Sequence, residues 1–91
     1  IRNYTINDDL SIDVDDDVDL DFDPFRDYNK LNYIPIKFNK VSGYFSCSDN
    51  NLKSLKNCPT YVGRSFYCDN NIEFFFDFFK NNHRFYIIQL S

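Results

Sequence analysis

Two segments of this 91-residue chain repeat nearly the same sequence. The segment Val41–Leu52 reads VSGYFSCSDNNL, and Val62–Ile72 echoes it as VGRSFYCDNNI. The Phe-x-Cys portion recurs at an offset of 21 and the Asn-Asn portion at an offset of 20, which predicts that one residue is lost between Cys68 and Asn70. A repeat of this length indicates stacked units, each burying its apolar face against its neighbours. Surfaces built in this way serve mainly for binding.

The first 24 residues predict a β-hairpin, because apolar and acidic residues alternate twice with period two. A three-residue loop at Asp15–Asp17 sets all the apolar pairs on one side of the ribbon, whereas a two-residue loop would place Asp15 opposite Val18. The three-residue loop is therefore preferred. It pairs Val14 with Val18, Ile12 with Leu20, and Leu10 with Phe22.

The C-terminal tail is rich in phenylalanine. Apolar residues at helical spacing predict a helix over residues 72–80, although phenylalanine also favours strands and a strand stays the alternative. Residues 84–90 predict a terminal strand with two apolar faces. The helical stripe comprises Ile72, Phe75, Phe76 and Phe79.

The segment from Phe45 to Leu55 has the form F-x-C-x-x-N-x-L-x-x-L. This form resembles the leucine-rich repeat, and most of all the short Asn- and Cys-rich variety found in bacteriophage and bacterial proteins, over roughly residues 28–75. The resemblance implies a short solenoid with a binding surface on its outward strand face. In this interpretation Asn50 and Asn70 satisfy backbone groups in the turns.

Together these patterns predict a single domain over residues 1–91 of the α+β class, mostly β. An acidic β-hairpin cap would occupy residues 1–24, leucine-rich-repeat-like units residues 25–71, and a helix-plus-strand cap residues 72–91. The chain is short enough that some of its 18 Phe and Tyr rings are expected to stay exposed to a partner.

Charge is strongly divided along the chain. Residues 1–27 carry a net charge of −8 and residues 28–91 a net charge of +4. Such polarity favours oriented docking on a charged partner. Three cysteines, with no CxxC pair, favour reduced thiols in a cytoplasmic setting, and the resemblance implies the cytoplasm of a bacterial host. No apolar run reaches the length of a membrane span.

Six aspartates at strict alternation form the main candidate binding site. Three interpretations stay open: a solvated acidic cap, a surface that imitates nucleic acid and docks on a basic protein, and calcium binding. The calcium interpretation is disfavoured, because Val18 and Pro24 stand where an EF-hand loop requires Gly and Glu, so no metal or cofactor is expected. The aspartates are Asp13, Asp15, Asp17, Asp19, Asp21 and Asp23.

Two tyrosines complete the candidate site. Tyr44 and Tyr67 alternate with the buried positions of the repeats and are expected on the outward strand face, where tyrosine gives a large contact area at low entropic cost. An ordinary solvated strand surface is the alternative.

No catalytic pattern is present. His83 is the only histidine and has no nucleophile at a recognisable spacing, and the phosphate-binding and hydrolase motifs are missing. Direct binding of nucleic acid is disfavoured, because the acidic segment would repel phosphates.

The chain is therefore expected to be a non-enzymatic protein-binding module. The first hypothesis is a phage-encoded inhibitor of a host factor, such as a bacterial defence or CRISPR effector, that acts through an acidic, nucleic-acid-like surface. The second is a structural or virion-assembly module that forms a homodimer through its Phe-rich C-terminus.

Overall fold

A computed structural model describes residues 3–71 and the backbone of residues 87–89. Eight short strands make up the regular structure of this part of the chain, and it contains no helix. They are β1 (Tyr4–Ile6), β2 (Ile12–Val14), β3 (Val18–Asp19), β4 (Phe38–Val41), β5 (Phe45–Ser46), β6 (Tyr61–Val62), β7 (Ser65–Tyr67) and β8 (Ile87–Gln89).

The strands form two four-stranded sheets. The first, which we call the mixed sheet, has the order β1-β2-β4-β6, with β1 antiparallel to β2 and the other pairs parallel. The second, the parallel sheet, has the order β3-β5-β7-β8. Three times the chain leaves a strand of the mixed sheet, turns through a short corner and enters the parallel sheet. These corners are residues 15–17, 42–44 and 63–64.

The corners stack closely on one another, which explains the two glycines. A Cβ atom at Gly43 would lie 2.0 Å from Asp17 Oδ1 and 2.9 Å from the Asp17 backbone nitrogen. A Cβ atom at Gly63 would lie 2.1 Å from the carbonyl oxygen of Ser42. Neither glycine has a positive φ, so the requirement is space for the neighbouring corner.

The core lies between the sheets and includes rows of residues that lie side by side on successive parallel strands. Ile34, Leu52, Leu55 and Cys58 join it from the connecting segments. One row crosses the parallel sheet, where Val18 pairs with Phe45 and Phe45 with Phe66. All three side chains are at most 1% exposed. Phe45 also packs edge-on against Phe38, with ring centroids 5.1 Å apart, and lies 5.4 Å from the ring of Phe66. The matching row in the mixed sheet is Val14, Val41 and Val62.

The three cysteines are free and buried. A hydrogen bond with Cys58, followed by burial, raises the pKa of the Cys47 thiol well above its ordinary value. Burial raises the pKa of Cys68 to about 12. Both thiols therefore stay protonated at neutral pH and behave as small apolar groups.

Asparagine side chains hold the turns after the repeat strands. Asn50 is 3% exposed; its Oδ1 accepts from the Leu31 backbone N–H at 2.8 Å, and its Nδ2 donates to the carbonyl of Leu20 at 2.9 Å. Asn71 makes the equivalent bonds, from the Leu52 N–H at 2.9 Å and to the Cys47 carbonyl at 3.0 Å.

The predicted loss of one residue between the repeats is wrong. The counterpart of Asn50 is Asn71, at an offset of 21, and not Asn70. The residues before them, Asp49 and Asn70, share a left-handed backbone with φ of 59° and 57°. In sequence, Asn50-Asn51 matches Asn70-Asn71, which suggests an offset of 20. The structural equivalents are instead Asp49-Asn50 and Asn70-Asn71, because Asp and Asn both tolerate the left-handed conformation.

The predicted fold class is also wrong. The described residues form an all-strand structure with one mixed and one parallel sheet, not an α+β leucine-rich-repeat-like solenoid. The helix predicted for residues 72–80 lies outside the described residues. Of the predicted terminal strand, residues 87–89 form β8, which pairs in parallel with β7.

The acidic hairpin does not form either. The alternation does mark strands, but β2 and β3 enter different sheets, and residues 15–17 form a corner between them. The carboxylates explain this outcome: Asp15 accepts from Ser42 Oγ at 2.8 Å and Asp17 from the Tyr44 N–H at 2.9 Å, which ties the corner to the next one. The hairpin that does form joins β1 to β2.

We predict that Phe45→Ala lowers the free energy of unfolding by about 3–5 kcal/mol, because it leaves a cavity between two packed rings. Phe25→Ala is the matched control: Phe25 is 99% exposed, and its loss should change stability by no more than about 0.5 kcal/mol. Urea denaturation of both variants measures the difference, and equal effects would contradict the core described above.

Candidate functional site: an acidic groove with two tyrosines

An open groove of about 280 Å³ runs across the outer surface of the parallel sheet. We call it the acidic tyrosine groove. The inward positions of β3, β5 and β7 fill the core, so the alternate residues of these strands and the residues just after them face the groove. It is lined by Asp19, Asp21, Tyr44, Ser46, Ser48, Asp49, Tyr67 and Asp69.

Two tyrosine rings form the apolar part of the groove. Tyr44 and Tyr67 meet edge to face, with ring centroids 6.1 Å apart and an interplanar angle of 69°. This is a favourable geometry for aromatic pairs and fixes both rings relative to the sheet. Both side chains are half-buried, so the groove presents aromatic surface to solvent.

Two buried serines fix the carboxylates above them. Asp21 Oδ1 accepts from Ser46 Oγ at 2.6 Å and from the Ser48 backbone N–H at 2.7 Å. The Ser48 hydroxyl donates to Asp69 Oδ1. Both hydrogen bonds to Asp21 end on Oδ1, and no described residue donates a hydrogen bond to its Oδ2. The groove therefore holds oriented carboxylates rather than freely moving ones.

The electrostatic environment of the groove is strongly negative. Burial raises the pKa of Asp21; the charges of Asp19 and Asp49 raise it further, against the hydrogen bonds from the two serines. Partial burial and then the charge of Asp19 raise the pKa of Tyr44, so its hydroxyl stays a neutral donor at neutral pH. None of the residues that line the groove is basic. A cation entering it would relieve this repulsion.

Two larger grooves on the described surface differ from the acidic tyrosine groove because basic residues help to line them. One, of about 460 Å³, lies on the mixed sheet and includes Lys40 beside Asp13 and Asp15. The other, of about 470 Å³, adjoins the acidic tyrosine groove, since Asp19 and Asp21 line both, and it includes Arg26 beside Asp27. A basic side chain therefore lines each of these two grooves, and in the second one Arg26 pairs with Asp27 at 3.6 Å.

Of the six aspartates and two tyrosines in the predicted site, four lie together in the structure. Asp19, Asp21, Tyr44 and Tyr67 meet in the groove. The predicted site residues did not include Asp49 and Asp69, although the outward alternation places Asp69 on the same face as Tyr67.

The other four aspartates have local structural roles. Asp13 accepts from Asn39 Nδ2 at 2.8 Å and from Asn7 Nδ2 at 3.2 Å, and these two bonds lower its pKa. Asp23 accepts from the Phe25 N–H at 2.9 Å in a local turn. Asp15 and Asp17 hold the corner described above. The stripe therefore does not form one continuous charged surface, because its members bond to different neighbours.

The described residues contain no group of three or more His, Cys, Asp or Glu side chains arranged to hold a metal ion. Asp13, Asp15 and Asp17, which would open the EF-hand loop considered above, each bond to a different partner. His83 lies outside the described residues. Within the part of the chain that the structure describes, no helix is long and apolar enough to cross a membrane.

Comparison with protein-family models, with curated proteins and with solved structures gives no match to this chain. The functional argument therefore depends on the geometry and charge of its own residues.

We predict that Asp21→Asn keeps the fold and raises stability at neutral pH relative to the parent. The amide oxygen can accept the same two hydrogen bonds, while the partly desolvated charge is removed. Because the pKa of Asp21 is raised on folding, the unfolded chain loses this proton at a lower pH than the native protein does. Stability therefore falls as pH rises from the unfolded pKa to the native pKa, and it stays reduced at higher pH.

The variant should therefore gain most at neutral pH and little at a pH low enough to protonate Asp21 in both states. Thermal melting of both proteins across this pH range measures the effect. A variant that is less stable at neutral pH would show that the charge itself is needed for folding.

Proposed function

We propose that this protein is a non-enzymatic binding module that docks on a basic surface of another protein through the acidic tyrosine groove. The observation that carries the proposal is the pairing of Tyr44 and Tyr67 inside a set of four carboxylates with no basic residue lining the same groove.

Arginine is the side chain that best fits these features. Its planar guanidinium can stack on a tyrosine ring while its N–H groups donate to carboxylates, and it is desolvated more easily than the lysine ammonium. Tyr44 and Tyr67, which are both half-buried, provide the ring surface, and Asp19, Asp21 and Asp49 provide acceptors on the same side of the sheet.

The expected partner is a basic protein that handles nucleic acid. The acidic N-terminal part of the chain supports this class of partner, because its charge of −8 over residues 1–27 suits a surface that otherwise binds phosphates. We extend the proposal to a phage-encoded inhibitor of a bacterial defence or CRISPR effector, acting in the bacterial cytoplasm; the resemblance of residues 28–75 to phage repeats supports this step.

The geometry of the groove favours a localised contact over imitation of a whole nucleic-acid backbone. Asp13 and Asp15 line a different groove, on the mixed sheet, and Asp17 lies in the corner between β2 and β3, so the six aspartates do not form the continuous row that imitation of a whole phosphate backbone would require. A localised contact centred on Asp19, Asp21 and the two tyrosines fits the geometry better.

We predict that the double substitution Asp19→Asn, Asp21→Asn weakens binding to an oligo-arginine peptide by about tenfold or more, since removing two charges at the contact reduces attraction directly. Asp8→Asn, Asp16→Asn is the matched control, because both residues are exposed, lie outside the groove and carry the same charge. Fluorescence anisotropy at several salt concentrations measures the affinities.

The parent should lose affinity as salt rises, and the groove variant should show a weaker salt dependence. Equal loss in the control variant would show that net charge, rather than the groove, determines binding. Capture from a bacterial lysate with parent and groove variant side by side then identifies partners that depend on these two carboxylates.

We further predict that Tyr67→Leu reduces affinity for oligo-arginine more than for oligo-lysine. Leucine keeps apolar bulk but removes the ring face, which contributes about 0.5–2 kcal/mol to a stacked cation. Titration calorimetry with both peptides measures the ratio of affinities. An unchanged ratio would exclude stacking on Tyr67 as the basis of recognition.

A further inference from the structure

Strand β1 is an outer strand of the mixed sheet, and the described residues pair with it on one side only. All three of its residues are exposed, with Tyr4 at 54% and Ile6 at 60%. Apolar side chains are therefore displayed next to unpaired backbone, a combination that other strands can use as a template.

The hydrogen bonds of the β1–β2 hairpin show which backbone groups are available. The Asn7 N–H donates to the Ser11 carbonyl and the Asp15 N–H to the Asn3 carbonyl, each at 2.8 Å. Bonded and non-bonded pairs alternate in an antiparallel ladder, so Thr5 bonds to β2. Tyr4 and Ile6 consequently point their N–H and C=O groups away from the sheet.

The corresponding edge of the parallel sheet is protected. In β3 the N–H of Val18 donates to the Tyr44 carbonyl, so the backbone of Asp19 is the part that faces outward. Asp17 and Asp21 flank it, and charges of this kind discourage edge-to-edge pairing. Strand β1 carries no charged residue and no proline.

We propose that two copies of this chain pair through β1 in antiparallel register, with Thr5 opposite Thr5 of the second copy. This register is self-complementary about a two-fold axis. Tyr4 of each copy then lies opposite Ile6 of the other, and both of these are hydrogen-bonded pairs. The N–H and C=O groups of Tyr4 and Ile6, four on each copy, therefore all find partners. A register shifted by two residues would keep only part of these backbone hydrogen bonds.

The side chains agree with this register. Each aromatic ring meets a branched aliphatic side chain, a favourable cross-strand pair, and Asn3 faces Asn7 without opposing like charges. The result is a continuous eight-stranded sheet across the dimer. Because a three-residue strand buries little area, the dimer is expected to be weak and to form at high micromolar concentration.

This interface lies on the mixed sheet, away from the acidic tyrosine groove on the parallel sheet. The inference therefore stands independently of the proposed function. A dimer of this kind would also display the groove twice, which raises avidity for a partner with repeated basic surfaces.

Sedimentation equilibrium over a wide concentration range tests the proposal with two complementary variants, Tyr4→Lys and Ile6→Glu. Each variant alone should dissociate about tenfold more readily than the parent. An equimolar mixture should recover association, because the introduced ammonium of one copy then faces the introduced carboxylate of the other across the register. A parent that stays monomeric throughout, or a mixture no better than either variant, would overturn the proposal.

Cross-linking checks the register without disturbing the apolar pairs. Thr5 would form a non-hydrogen-bonded pair with its symmetry mate at a Cα separation of about 4.5 Å, which suits a disulfide. Thr5→Cys should form covalent dimers under mild oxidation, and the exposed control Lys53→Cys should not, while the three native cysteines are buried. Equal cross-linking of both variants, or none with Thr5→Cys, would contradict the predicted register.

Discussion

Residue-by-residue parallel pairing of successive strands is the constraint on which the rest of this structure depends. It places Phe45 directly beside Phe66 and Val41 beside Val62, so each core position is repeated by its neighbour. The same pairing brings the corners together and leaves no room for side chains at Gly43 and Gly63. Burial of the two aromatic rings and the turn bonds of the asparagines both require this register.

Parallel pairing also gives the aspartates two different roles. Where a carboxylate lies beside a corner or a bulge, as with Asp13 and Asp15, it accepts hydrogen bonds from the next strand or corner and holds the two together. Where it lies on the outer surface of the parallel sheet, as with Asp19 and Asp21, it gathers near further acids. A pattern that looks uniform in sequence is therefore divided by the geometry between two different surfaces.

Sequence patterns predicted the local features and not their partners. The equivalence of Phe45 and Phe66 was visible in the repeat, and these residues do pair. Alternation marked Ile12, Val14 and Val18 as strand residues, but period two carries no information about which strand lies alongside. The hairpin prediction was therefore wrong even though its strands exist: the pairing of β2 with β4 spans more than twenty residues of chain, and the carboxylate contacts that favour it become visible only in three dimensions. Only part of the groove was predicted, for the same reason. Outward alternation identified the two tyrosines, whereas Asp49 lies in a turn after β5, where alternation gives no information.

The uncompensated acids in the groove are the feature that the fold itself explains least well. Asp13, Asp15 and Asp17 each stabilise a neighbouring strand or corner, but Asp21 is partly desolvated beside like charges, which raises its pKa and opposes folding at neutral pH. An asparagine could accept the same bonds from the two serines without this cost. A side chain that reduces stability where a neutral one would serve supports the proposal of a cationic partner for this part of the surface.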